Sequence, residues 1–256
     1  MNIVVFIKQV PDTDDVKWTA NNNIDRANTE SILNPLDSQA LECSICLKNK
    51  YNAKVTAVSM GPNKAIEVLK EAIAMGVEEA VLLSDSKFVG SDTCATSKVL
   101  ASSIWEKFPN TDLILFGQSA SDGETSQTGP SVAVRLNYPF AVHVNEITEI
   151  SDGYVTVNCE TEQEKAVLKV KLPAVLCINN SVYTPSLPKI DGYIKAHDYN
   201  YKTYNIYELK VSQDETGVKG SPTYVSKVYK TKDSRDCKMT DTNEILKVIR
   251  EASYGT

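Results

Sequence analysis

The sequence is poor in histidine, with two residues, and short of positive charge, with 27 lysines and arginines against 33 aspartates and glutamates. His143 and His197 stand beside no serine or cysteine motif, which gives nucleophilic catalysis by a Ser–His or Cys–His pair little support. The net charge of −6 argues against general nucleic-acid binding, since neutralising phosphates takes a basic surface. No run of about 18 apolar residues exists, so no membrane insertion is expected. The opening Met1–Lys8 has no basic segment ahead of a long apolar one and does not read as a secretion signal. Without such a signal, the six cysteines Cys43, Cys46, Cys94, Cys159, Cys177 and Cys237 read as reduced thiols of a cytoplasmic protein.

What is present is ordinary globular material. At 256 residues and 42% hydrophobic, the chain can bury a core in one large or two small domains. Short apolar runs at Ile3–Ile7, Val55–Ser59, Ala80–Leu83, Leu113–Phe116 and Ala174–Ile178 read as buried strands. Between them lie helical patterns. Asn34-Pro35-Leu36-Asp37 reads as a helix start with Asp37 as a cap, followed by Ala40, Cys43 and Leu47 on one face. Ile66, Leu69, Ala72 and Ile73 make a second helix that Gly76 stops. Asp92–Phe108 makes a third, with Ala95, Val99, Ile104, Trp105 and Phe108 turned to a core. This alternation predicts an α/β fold, a parallel sheet covered on both faces, over residues 1–190. Past about residue 138 the runs Val142–Ile150, Tyr154–Asn158 and Val167–Val170 read as strands, with Asp152-Gly153 as a turn. Residues 191–256 have weak periodicity and read as an extended arm lying on another chain, or as a disordered tail. Asp241–Ala252 within them is amphipathic.

The most informative segment runs from Phe116 through Gly117, Asp122, Gly123, Thr125, Gln127, Thr128 and Gly129 to Pro130. It leaves a strand end and enters the helical run Val132–Leu136, the place where open α/β sheets bind ligands. Its glycines permit close backbone approach, Pro130 suits a first helical turn, and free N–H groups there attract phosphate. Ser119, Thr125, Ser126 and Thr128 add hydroxyls. The spacing fits neither a P-loop nor a dinucleotide fingerprint. A phosphate-bearing ligand and a polar loop capping a helix are both open at this point. Cys43 and Cys46 read better as core residues one turn apart than as a metal or redox pair. Asp12, Asp14 and Asp15 read as a solvated acidic turn, so no metal is expected.

Ile7-Lys8-Gln9-Val10-Pro11-Asp12, Asn34-Pro35 with Asp37 and Glu42, Ser59-Met60-Gly61-Pro62, the 122–130 loop, Lys171-Leu172-Pro173-Ala174-Val175 and Leu187-Pro188 fall in an order that resembles the β subunit of electron-transferring flavoproteins. The resemblance covers nearly the whole chain. It implies a Rossmann-like domain that binds an adenine nucleotide and an arm, 191–256, that packs on an α subunit carrying FAD. Phe6, Asn34, Pro35, Met60, Asp122, Gly123, Thr125, Gln127, Thr128 and Gly129 would contact the nucleotide. Gln9–Thr13 and Gly217–Thr223 resemble the anaerobic, electron-bifurcating branch, in which that nucleotide is FAD. There it takes a hydride from NADH and passes electrons to ferredoxin or flavodoxin and, through the α-subunit FAD, to an acyl-CoA or related dehydrogenase. The alternatives are an electron carrier with structural AMP and a stand-alone nucleotide-binding protein. Leu187 would anchor the dehydrogenase, although the basic cluster that often follows it in the family is missing here.

Overall fold

The computed structural model describes residues 1–12, 30–179, 181–224, 241 and 244–253. The expected polar loop Thr13–Thr29, with Asp14, Asp15 and Asn21–Asn23, lies outside them, as does Cys237. The elements run β1 (Asn2–Phe6), β2 (Gln9–Pro11), β3 (Ser31–Leu33), α1 (Pro35–Tyr51), β4 (Lys54–Met60), α2 (Ile66–Met75), β5 (Glu79–Leu83), α3 (Thr93–Lys107) and β6 (Leu113–Gly117). There follow α4 (Thr128–Leu136), β7 (Phe140–Ser151), β8 (Tyr154–Glu160), β9 (Lys165–Lys171), β10 (Ala174–Ile178), α5 (Ile190–Asp198), β11 (Lys202–Tyr204), α6 (Gly217–Gly220) and α7 (Ile245–Ser253).

The nine-stranded sheet has the order β11-β5-β4-β1-β6-β10-β7-β8-β9. Pairing is parallel from β11 to β7 and antiparallel from β7 to β9. The inner strands are continuous apolar runs because successive residues enter different cores. Val5, Val55 and Leu115 pack under α1 and α2, whose Leu41, Leu69 and Ile73 are buried there. Val4, Val58 and Ile114 pack under α3 and α4, with Val99, Ile104 and Val132. Burying each such side chain contributes roughly 1.5–3 kcal/mol. The chain winds from β1 outward through β4 to β5, then returns by α3 to β6 on the other side of β1. That reversal opens a crevice beyond the carboxyl ends of β1 and β6.

Several sequence expectations need correction. Asp37 does not cap α1; it sits inside the first turn, buried, and accepts from other elements. Trp105 is 55% exposed rather than turned to the core. Cys46 is exposed and donates to Glu42 Oε1 at 3.9 Å, whereas Cys43 is buried. Asp92, read as the first residue of the third helix, lies just ahead of it as its cap, accepting from Ala95 N–H at 2.9 Å.

The first part of the stretch past residue 190 returns to its own domain. Helix α5 packs on α2, β11 adds to the sheet edge beside β5, and Ala196, Ile206 and Leu209 are buried. These few burials are too widely spaced to make a periodic pattern. By contrast α7 leaves Ile245, Leu246, Val248 and Ile249 exposed. Among the described residues no helix is long and apolar enough to cross a membrane.

Candidate functional site

Three chain segments converge at the crevice, and Asp37 ties them. One carboxylate oxygen accepts from Lys8 N–H, just past β1, at 2.8 Å. The other accepts from Gly117 N–H, the end of β6, at 3.0 Å. Both strand ends are thereby fixed to the first turn of α1. Burial pushes the Asp37 carboxyl up from 3.8 to about 7, against the opposing effects of the Lys8 N–H, the Asn34 side chain, the Gly117 N–H and the Lys8 charge. Gly117 cannot carry a side chain, since a Cβ there would stand 2.5 Å from Asp37 Oδ1 and 2.6 Å from the Leu36 carbonyl carbon.

Asn34, 1% exposed, holds the loop that follows β6. Its amide donates to Ser119 O at 2.8 Å and its carbonyl accepts from Ser121 N–H at 3.2 Å. Its own N–H donates to Lys8 O at 2.9 Å. Farther along the loop, Asp122 pairs with the Lys8 ammonium at 2.6 Å. Gln118 anchors the loop sideways: its N–H donates to Ile178 O and its Oε1 accepts from His143 N–H, each at 2.8 Å.

The loop then turns sharply. Glu124 and Ser126 have φ of +44° and +54°, and Gln127 returns to the right-handed region. A left-handed residue followed by a right-handed one turns successive N–H groups to one side, which suits an anion. No side chain among the described residues caps α4, so its first amides have no intrahelical or side-chain partner there. The Ser121 hydroxyl is buried with no hydrogen-bond partner among the described residues, as is that of Ser59 beside Met60. Free helix amides, a left-handed turn and an orphaned hydroxyl in one loop fit a phosphate-bearing nucleotide.

Phe6 is buried at the end of β1, its ring stacked on Phe116 with centroids 4.9 Å apart. Asn34 and Pro35 start α1, and Met60 ends β4 next to β1. Asp122, Gly123, Thr125 and Gln127 lie along the loop, with Gln127 Oε1 accepting from Thr93 at 3.4 Å. Gly123 has open space around it, as close ligand approach requires. Thr128 and Gly129 open α4. Gly129 has a second reason to be glycine: a Cβ would meet Cys177 Sγ at 2.5 Å, so it sets how closely α4 lies on β10. Leu187 is elsewhere, 92% exposed ahead of α5. Sequence reasoning missed Gln118, the ion pair of Lys8, and the tie made by Asp37; its only signal for the last was an acid two residues after Pro35.

Comparison with known proteins gives a consistent result. Residues 22–199 match the model of the electron transfer flavoprotein domain. An "Electron transfer flavoprotein subunit beta" of Thermoanaerobacterium thermosaccharolyticum is 41% identical over 229 residues, covering 88% of this chain and 86% of the relative. The "Caffeyl-CoA reductase-Etf complex subunit CarD" of Acetobacterium woodii is 37% identical, with 88% and 86% covered. The "Acryloyl-CoA reductase electron transfer subunit gamma" of Anaerotignum propionicum is 34% identical, with 90% and 88% covered.

Proposed function

Because the chain belongs to the electron transfer flavoprotein family, as a beta-type subunit, we propose that it works in a cytoplasmic heterodimer with an α subunit and binds FAD at the crevice beyond β1 and β6. The observation that carries the nucleotide reading is the 118–129 loop, with its uncapped helix start and buried orphan hydroxyl. Bound there, a flavin supplies hydride acceptance from NADH and release of single electrons to ferredoxin or flavodoxin and to the FAD of the α subunit.

The chain's own residues bind and position. The amides of Thr128 and Gly129 would hold phosphate, with the Thr125 and Thr128 hydroxyls as further donors. Phe6, Asn34, Pro35 and Met60 would form the wall toward the adenosine half, and Asp122, Gly123 and Gln127 the rim. Asp37 fixes the strand ends on which this geometry depends. The protein tunes position and potential, and the redox chemistry is the cofactor's.

The relatives named for caffeyl-CoA and acryloyl-CoA reductases support a CoA-ester dehydrogenase or reductase as the terminal partner. The solvent-exposed Leu187 is the proposed anchor for it, and the apolar face of α7 the proposed contact of the C-terminal arm with the α subunit. Quantifying cofactors released from the co-purified heterodimer tests the reading. Two FAD and no AMP are expected. One FAD with one AMP would replace it by a single-flavin carrier holding structural AMP.

A further inference from the structure

His143 carries a left-handed backbone within a strand. Its φ is +53°, inside the otherwise extended strand β7. Left-handed backbone is uncommon outside glycine, although asparagine, aspartate and histidine adopt it more readily than other residues, and holding it costs on the order of 1–3 kcal/mol. The strain coincides with a bulge. Leu176 of β10 pairs with Ala141 and Ile178 with Val144, so β7 uses three steps where β10 uses two. Bulges bend a strand and re-aim a side chain, and they recur beside functional sites.

The bulge lies at the ligand end of the sheet. It sits beside the carboxyl end of β10, which itself pairs with the carboxyl end of β6. Two strand spacings, about 10 Å, separate β7 from β6. Two contacts lock the residue. Gln118, the first residue of the nucleotide loop, accepts its N–H at 2.8 Å. The Asn179 amide lies 3.3 Å from its Nδ1. An amide donor at Nδ1 makes that nitrogen the acceptor and leaves the imidazole proton on Nε2. Nε2 has no partner among the described residues, and the side chain is only half-buried.

We infer that His143 is a specificity-determining residue that donates from Nε2 to the half of the ligand beyond the phosphates. This rests on the reading that the crevice binds FAD. A flavin ring presents carbonyl oxygens and ring nitrogens as acceptors, whereas AMP ends at its phosphate and has nothing to offer there. The nucleotide loop and His143 are linked through Gln118, so one clamp sets both halves of the site.

The test uses the heterodimer stripped of the nucleotide in this subunit, titrated separately with FAD and AMP. His143→Asn keeps a residue that tolerates left-handed backbone and removes the ring. It should raise the FAD dissociation constant about tenfold and leave that of AMP unchanged. His143→Gln, whose longer side chain carries its amide N–H out to about the reach of the imidazole Nε2, should recover part of the loss. Equal weakening of FAD and AMP would make the bulge a structural support of the loop and overturn the inference, as would no change in either. If the wild-type heterodimer takes up AMP and rejects FAD, the underlying flavin reading fails as well; if it binds FAD and the variants do not discriminate, only the inference fails.

Discussion

Gly117 N–H meets Asp37 Oδ1 at 3.0 Å, and the space beside that bond is too small for a methyl group. The contact joins the end of β6 to the first turn of α1. In Gly117→Ala the new Cβ would press on Asp37 and on the Leu36 backbone, which cannot swing away like a flexible side chain. The variant should lose about 1–3 kcal/mol of stability, the usual cost of overpacking. It should also lose nucleotide, because the loop leaves directly from this residue. Thermal unfolding with and without added nucleotide measures both effects.

Asp37 also predicts a pH dependence. Its carboxyl is pushed up from 3.8 to about 7, chiefly by burial. Between those values the folded chain keeps a proton that the unfolded chain has released. The folded state then binds more protons, so this group's contribution is fully present below about pH 4 and is lost as pH rises through about 7. The slope is at most about 1.4 kcal/mol per pH unit. Asp37→Asn is neutral throughout and should flatten that slope in urea titrations across the window. An unchanged slope would mean that the two N–H bonds keep Asp37 ionised throughout.

How much of this was legible follows from sequence distance. The loop from Asp122 to Pro130 declares itself, because glycines, hydroxyls and a proline at a strand–helix junction are local signals. Asp37 was misread as a cap because a helix-start rule looks only within its own turn. Its partners, Lys8 and Gly117, are 29 and 80 residues away. The three-residue strand β11 is too short for any alternation to show. The bulge at His143 depends on the register with β10, which a single strand's pattern does not contain.

Gly129 and Cys177 should behave as a coupled pair. A Cβ at 129 would stand 2.5 Å from the buried sulfur, with Phe116 behind it at 3.4 Å. Gly129→Ala alone should destabilise by about 1–3 kcal/mol. In the Cys177→Ala background the sulfur is gone and the same change should cost less. Residues in contact commonly show interaction energies of about 0.5–3 kcal/mol. Denaturation of the four proteins closes the cycle, and strict additivity would show that α4 shifts away from β10 without strain.

Lys8 and Asp122 should matter for the ligand more than for the fold. Their side chains are 48% and 23% exposed, and such ion pairs contribute about 0–1 kcal/mol. Lys8→Met should therefore leave the melting temperature nearly unchanged. It removes the ammonium that pairs with the loop, and nucleotide affinity should drop about tenfold. Repeating the titration at high salt separates the two roles. Screening should weaken wild-type binding toward that of the variant and leave the variant little affected.

Leu187 gives the opposite kind of test, one confined to the partner. At 92% exposure it packs on little within this chain, so Leu187→Ala should change stability by no more than about 0.5 kcal/mol. Cofactor content should be untouched, since the residue lies away from the nucleotide loop. If it anchors a dehydrogenase, truncating an exposed apolar side chain that becomes buried on docking removes contact area. A central anchor of this kind costs about 2 kcal/mol or more when cut to alanine. Electron transfer from the reduced heterodimer to the dehydrogenase, followed by flavin absorbance at limiting partner concentration, should slow by about thirtyfold or more. Normal transfer at every partner concentration would move the docking surface elsewhere, with the exposed Tyr193 and Ile194 of α5 the next residues to truncate.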